Sequence, residues 1–265
     1  MLKARVITAL ILVAALLALL FAVPRVWTHF AFALIAAVAG WEWAGLMRID
    51  GAGRVMFGIA ILVLCWMAHV RTDVFPFLWA TVSVFWVVIA PFWLRKKWSL
   101  FGNDFLGYSL GALVIVATWA GLVSIFERGP LTLLAVMATV WMADIGAYFS
   151  GRKWGAHKLA PAISPGKTWE GAVGGTVAAL IWGYAAGTAV GLWSGLAPAT
   201  FLVVLTALVA FVALSIEGDL FESLLKRQAG VKDSSQILPG HGGILDRIDS
   251  LTSTLPVLAL VLYVV

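Results

Sequence analysis

Residues 217–250 form the most polar stretch of the chain, and their types suit phosphate chemistry at a metal ion. Six of the 13 acidic residues lie in this stretch. One helix face is expected to carry the side chains that recur at helical spacing, which are Asp219, Glu222 or Ser223, and Lys226. Asp246 and Asp249, three residues apart, share a face of the following helix. Carboxylates from two helix ends can hold Mg²⁺, which also binds phosphate oxygens of a substrate.

The loop between these two helices offers groups that bind phosphate. The glycines of Pro239–Gly243 let backbone N–H groups approach an anion closely. Four basic side chains of the segment can neutralise phosphate charge: Lys226, Arg227, Lys232 and Arg247. Metal ligands, cations and a glycine-rich loop are the groups that phosphoryl or nucleotidyl transfer requires. The alternative interpretation is an ordinary solvated loop.

Asp144 lies inside an apolar run, where an acidic side chain is costly and indicates function. The alternative is an acid at the membrane interface, paired with Arg152 or Lys153. This run leads into a second polar segment, residues 150–169.

Gly166-Lys167-Thr168 in that segment resembles part of a nucleotide-binding P-loop. That motif needs glycine where Pro161 stands, and no strand is expected before it, so we reject a P-loop. We expect a tight turn and a helix from about Thr168, with Lys167 and free N–H groups available to an anion. A plain helix cap is the alternative.

The polar residues of the C-terminal segment also resemble a known motif. From Ser223 to Asp249 the chain reads Ser-x-x-Lys-Arg-x4-Lys-Asp-x5-Pro-x-His-Gly-Gly-x-x-Asp-Arg-x-Asp. This is similar to the signature of the phosphatidate cytidylyltransferase (CDP-diacylglycerol synthase) family of bacterial inner membranes. The similarity extends to Asp144–Gly175, whereas the first hundred residues carry no motif that matches.

The resemblance implies an enzyme that joins CTP and phosphatidate into CDP-diacylglycerol and pyrophosphate, with Mg²⁺ as cofactor and the number of metal ions left open. The predicted catalytic residues are Asp219, Lys226, Asp246 and Asp249, of which Asp219, Asp246 and Asp249 are the predicted metal ligands. Phosphate binding is predicted for Lys167, Ser223, Arg227, Lys232, His241, Gly242, Gly243 and Arg247. The predicted polar shell comprises Asp144, Thr168, Glu222 and Asp233.

The family resemblance also suggests a homodimer in the bacterial inner membrane, with membrane lipid as a partner and no nucleic acid. Two other functions stay open at this point. A CTP-dependent lipid kinase acting on a polyprenol or phytol would release CDP. An ion- or proton-coupled transporter would need ionisable residues deep in several spans.

The composition of the chain indicates a membrane protein. Of the 265 residues, 62% are hydrophobic and 12% charged, and the mean hydropathy is +1.00. A soluble domain is about 45–50% apolar and about 25% charged, so a soluble enzyme, a disordered chain and a nucleic-acid binder are excluded. The net charge of +5 fits a membrane protein with basic inner loops. The single Cys65 excludes a disulfide framework.

The apolar runs predict an all-α protein with about nine transmembrane helices. These runs are Val6–Val23, Phe30–Met47, Val55–Val70, Phe75–Leu94, Phe105–Phe126, Leu131–Phe149, Glu170–Trp193, Ala199–Ile216 and Leu251–Val265. With the N-terminus in the cytoplasm, 15 of the 18 Lys and Arg residues lie on the inner side. Both polar segments then face the cytoplasm.

We therefore expect one transmembrane domain over residues 1–265. Its N-terminal helices (1–100) carry no recognisable motif. Residues 101–265 form the catalytic helices, with cytoplasmic polar segments 150–169 and 217–250.

Overall fold

The computed structural model describes residues 2–189, 191, 193 and 197–265. The helices are α1 (Leu2–Phe21), α2 (Arg25–Leu46), α3 (Gly51–Val70), α4 (Phe75–Val84), α5 (Ala90–Lys96), α6 (Asp104–Glu127), α7 (Pro130–Trp154), α8 (Trp169–Ala189), α9 (Pro198–Ala229) and α10 (Leu245–Val264). Strands β1 (Lys158–Ala160) and β2 (Ser164–Thr168) lie between α7 and α8. A 3-10 turn (Thr72–Val74) precedes α4, and a π-helical turn (Phe85–Ile89) joins α4 to α5.

The helices confirm an all-α polytopic membrane protein. Eight helical segments of the described residues are long and apolar enough to span a bilayer, with Thr72–Lys96 counted as one. α1 adds a shorter apolar stretch, Val6–Phe21. Every predicted run thus corresponds to a helix, although Glu170–Trp193 ends partly outside the described residues. The count of nine spans and the cytoplasmic N-terminus stay predictions.

Two spans depart from their predicted outlines. Pro91 lacks the N–H that would bond one turn back, and the preceding turn widens into a π-helix. α10 begins at Leu245, six residues before the predicted start of the last run, so Asp246 and Asp249 lie inside the helix. α9 continues beyond its apolar run to Ala229, as the helical spacing predicts, and ends at Gly230 in the left-handed conformation (φ 79°).

The central polar segment forms a β-hairpin, and the expectation that it contains no strand is wrong. β1 and β2 pair antiparallel, with Lys158 opposite Thr168 and Ala160 opposite Ser164. Strands of three and five residues are too short to produce a hydrophobic alternation in the sequence. Gly166-Lys167-Thr168 is therefore extended, whereas a P-loop would wrap a phosphate after a parallel strand. The rejection of a P-loop stands.

Glycines allow the helices around the hairpin to approach closely. A Cβ atom on Gly175 of α8 would lie 2.6 Å from the backbone oxygen of Ala143 on α7. A Cβ atom on Gly218 of α9 would lie 2.6 Å from the backbone oxygen of Asp249 on α10. Gly175 thus allows α7 and α8 to pack closely, and the contact at Gly218 brings Asp219 beside Asp249.

Candidate active site

An ion pair joins the two polar segments. Nζ of Lys167 on β2 lies 2.7 Å from Oδ2 of Asp219 on α9, and the Ser223 hydroxyl donates to Oδ1 of Asp219 at 3.2 Å. Lys167, Asp219, Asp144 and Tyr148 line one cavity of about 410 Å³ between α7, α8 and α9. The sequence predicted this meeting of the central and C-terminal segments.

Three carboxylates from three helices lie near one another here, and two of them, Asp144 and Asp219, line this cavity. Asp144 of α7, Asp219 of α9 and Asp249 of α10 lie close enough for their charges to interact. The suggested partners of Asp144 are engaged elsewhere: Arg152 donates to the Tyr148 hydroxyl at 2.9 Å, and the Lys153 ammonium lies over the Trp154 ring. The interfacial ion pair that was the alternative for Asp144 is therefore absent from the described contacts.

These carboxylates are oxygen ligands that fit a divalent cation in part. Among the described residues, no three His, Cys, Asp or Glu side chains converge closely enough to hold a metal ion by themselves. Mg²⁺ usually binds one or two carboxylates together with waters and substrate phosphates, so a three-residue cage is not required. Asp219 and Asp249 are the candidates for such a site.

Asp246, the third predicted metal ligand, is saturated by hydrogen bonds from the protein. Its Oδ2 accepts from the Ser234 N–H, the Ser234 hydroxyl and the Gly243 N–H, each at 2.8 Å. Its Oδ1 lies 2.6 Å from the Lys226 ammonium. This environment favours a structural role for Asp246 over direct metal ligation.

Lys226 lies between two buried carboxylates. Its ammonium is 2.6 Å from Asp246 and 3.1 Å from Glu222, and these three side chains belong to the buried residues of the protein. A buried ion pair is stable only while each charge keeps its partner. The geometry therefore favours a role in folding over the predicted phosphate clamp.

The glycine-rich loop and its basic neighbours surround a second, polar cavity of about 720 Å³. It brings together the predicted residues Lys232, Asp233, His241, Gly242 and Arg247. Among the described contacts, neither Lys232 nor Arg247 lies within 4.0 Å of a carboxylate. Their charges are thus available to an anion.

Glycine is required at the tip of this loop. Gly242 has a φ of 79°, and a Cβ atom there would lie 2.6 Å from Oδ2 of Asp246. Its carbonyl accepts from the Leu238 N–H at 2.9 Å, which closes the turn. The backbone can therefore fold tightly over the carboxylate of Asp246.

Comparisons with known proteins agree with this arrangement. A model of the cytidylyltransferase family matches residues 3–265. The chain belongs to the cytidylyltransferase family. A phosphatidate cytidylyltransferase of Pseudomonas aeruginosa is 39% identical over 270 residues, which cover 99% of this chain and 97% of that protein. One from Haemophilus influenzae is 35% identical (97% and 96% covered), and one from Brucella suis is 46% identical over half of this chain (50% and 47% covered).

Two predicted residues of this cytidylyltransferase have structural contacts instead. The Thr168 hydroxyl accepts from the Gly171 N–H at 3.1 Å and so caps α8, as the alternative interpretation held. The Arg227 guanidinium donates to the backbone oxygen of Ile163 at 3.4 Å and so ties α9 to the hairpin. Both contacts join the hairpin to a neighbouring helix.

The family match also covers Glu42, whose role at the site the sequence did not reveal. Its carboxylate on α2 is buried and accepts hydrogen bonds from the C-terminal loop. The only signal in the sequence is an acid between Trp41 and Trp43 of an apolar run, and this predicted a buried pairing. The carboxylate is buried and hydrogen-bonded, but its donors, about 200 residues away, could not be inferred from spacing.

Proposed function

We propose that this cytidylyltransferase transfers the cytidylyl group of CTP to phosphatidate and releases CDP-diacylglycerol and pyrophosphate. The observation that carries the proposal is the match of the whole chain to the family, together with 39% identity to a curated phosphatidate cytidylyltransferase over 99% of the chain. The geometry agrees with it because the protein has a polar cavity with basic side chains, and a cavity with two carboxylates that shares residues with an apolar groove.

The reaction places particular demands on the site. A phosphatidate oxygen forms a bond to the α-phosphorus of CTP while the bond to pyrophosphate breaks. The attacking oxygen is already anionic, so no strong general base is needed. The protein must relieve repulsion between two polyanions and align them in line. Lys232 and Arg247 carry suitable charge at the polar cavity, which we assign to the triphosphate.

We propose that Asp219 and Asp249 hold Mg²⁺, with Asp144 completing the polar shell. When bound, the metal ion neutralises phosphate charge in the transition state. Asp219 is engaged with Lys167 in the structure. A cation at Asp219 would weaken that ion pair and leave the Lys167 ammonium free to bind a substrate phosphate.

The lipid is proposed to enter sideways from the bilayer. An apolar groove of about 580 Å³ lies between α5, α8 and α9. It shares Leu159, Ala172 and Ile216 with the cavity of Asp219. Acyl chains in the groove would therefore place the headgroup phosphate beside Lys167.

Blocking this groove is expected to impair lipid use alone. Ala213→Trp fills the groove, and we expect the apparent KM for phosphatidate to rise at least fivefold while the KM for CTP stays within twofold. Val203→Trp, an exposed position on the same helix, serves as the matched control. Kinetics in mixed micelles at varied phosphatidate mole fraction measure both constants. Equal kinetics for the two variants would contradict this lipid route.

One assay tests the proposed reaction. Purified protein with phosphatidate, CTP and Mg²⁺ is expected to release one pyrophosphate for each CDP-diacylglycerol formed. Release of CDP and phosphorylation of an added polyprenol would instead establish the lipid kinase. No specific observation favours that alternative or the transporter. The acids named at the site cluster at one end of the bundle, which suits an enzyme.

The cytoplasmic orientation and the homodimer are also proposals. The Thr8 hydroxyl donates to the backbone oxygen of Pro239 at 3.2 Å, so the N-terminal part of α1 lies at the same end as the glycine-rich loop. Most Lys and Arg residues are assigned to this end, which supports a cytoplasmic site in the inner membrane. The homodimer rests on the family resemblance.

A further inference from the structure

Glu42 is a buried carboxylate that has no cation as partner among the described contacts. Its side chain lies near the end of α2, and the residue is 0% exposed. A buried charge is costly unless hydrogen bonds compensate it. The groups that donate these hydrogen bonds are therefore held in place by Glu42, and the buried charge of Glu42 is stable only while they remain there.

Three donors from residues 217–250 bind this carboxylate, and the Ser234 hydroxyl, which donates to Asp246, lies beside it. Oε1 accepts from the Ser235 hydroxyl at 2.6 Å and from the Ile244 N–H at 3.0 Å. Oε2 accepts from the Leu245 N–H at 2.6 Å and lies 3.2 Å from the Ser234 hydroxyl. Glu42 thus caps the N-terminus of α10 from another helix, and the helix dipole favours its negative charge.

Ser234 couples Glu42 to the buried ion pair. Its hydroxyl oxygen lies 2.8 Å from Oδ2 of Asp246 and 3.2 Å from Oε2 of Glu42. Asp246 in turn binds Lys226 and the Gly243 N–H. The two carboxylates therefore hold both ends of residues 234–245, the part of the loop that carries His241 and Gly242.

We propose that Glu42 is a positioning residue for nucleotide binding. It holds residues 234–245 in the conformation in which Lys232, His241 and Arg247 surround the polar cavity. This inference rests on the proposed function, because it assigns that cavity to the triphosphate of CTP. A helix of the motif-free N-terminal third then sets the affinity of a site built by the C-terminal third.

The test replaces one acceptor oxygen and leaves the volume unchanged. Glu42→Gln turns a carboxylate oxygen into an NH₂ group that faces N–H donors. We expect the KM for CTP to rise at least tenfold, while the KM for phosphatidate and kcat stay within threefold. Hydrogen exchange of peptides covering 232–245 is expected to accelerate, with peptides of α6 unchanged. A purely structural role would lower folded yield without this split between the two substrates.

The matched control is Glu127→Gln. Glu127 pairs with Arg25 and His29 at the opposite end of α2, so its substitution is expected to leave the KM for CTP and the loop exchange unchanged. If Glu42→Gln does not fold, Ser235→Ala removes a single donor and should raise the KM for CTP at least threefold. The double variant Glu42→Gln with Ser235→Ala should have a KM for CTP no higher than that of Glu42→Gln alone, since both substitutions act on one contact.

Two outcomes overturn the inference. The first is unchanged loop exchange in Glu42→Gln and Ser235→Ala. The second is an equal rise of both KM values. If the proposed function is wrong, the wild-type protein will form no CDP-diacylglycerol. The hydrogen-exchange measurement will still test whether Glu42 holds the loop.

Discussion

Asp219→Asn is expected to lower kcat for CDP-diacylglycerol formation by about 10²- to 10³-fold, the usual cost of losing one charge-stabilising group at a reacting centre. The substitution removes negative charge at the proposed Mg²⁺ site and weakens the ion pair with Lys167. Asp219 is only partly buried, so the protein should still fold. Transfer of the labelled cytidylyl group from CTP into extractable lipid measures kcat. The variant should need a higher Mg²⁺ concentration for half-maximal activity.

The matched control for this prediction is Asp73→Asn. Asp73 also forms an ion pair, with Arg71, at an exposed turn outside both cavities of the site. Its loss should leave turnover within twofold, which separates a local effect from general loss of charge. Turnover of Asp219→Asn within threefold of wild type, at limiting Mg²⁺, would remove Asp219 from the metal site.

The parts of the site that could be predicted from sequence depend on local spacing. Helical periodicity placed Asp219 and Ser223 on one face, and they form a hydrogen bond one turn apart. The glycines of the loop indicated a tight turn, and Gly242 provides it. Long apolar runs specified the helices because the bilayer requires each to satisfy its own backbone hydrogen bonds.

What could not be predicted depends on contacts between distant segments. The motif does not show which face of α9 packs against the other helices, so Lys226 was predicted to bind phosphate. In the structure it is buried between two carboxylates. No spacing rule connects Glu42 to Leu245, because α2 and α10 meet only in the folded bundle. The short hairpin likewise depends on tertiary contacts, such as Lys167 with Asp219.

Lys226→Met is expected to destabilise the protein rather than to weaken substrate binding alone. Removing the ammonium leaves Glu222 and Asp246 buried without their cation, a loss of about 3–5 kcal/mol in the free energy of unfolding. Thermal unfolding in detergent, followed by tryptophan fluorescence, should show an apparent Tm lower by about 10 °C. Asp246 keeps three other donors, so most of the loss should come from Glu222.

The double variant Lys226→Met with Glu222→Gln tests this assignment. It replaces the buried charge of Glu222 with a neutral amide, so it should recover a large share of the lost stability. Lys96→Met, at an exposed position of α5, is the control and should change stability by about 0.5 kcal/mol or less. Lys226→Met with wild-type stability and a raised KM for CTP would reverse the conclusion. The ammonium would then act on phosphate, as the motif alone predicted, and Asp246 would be free to bind the metal ion.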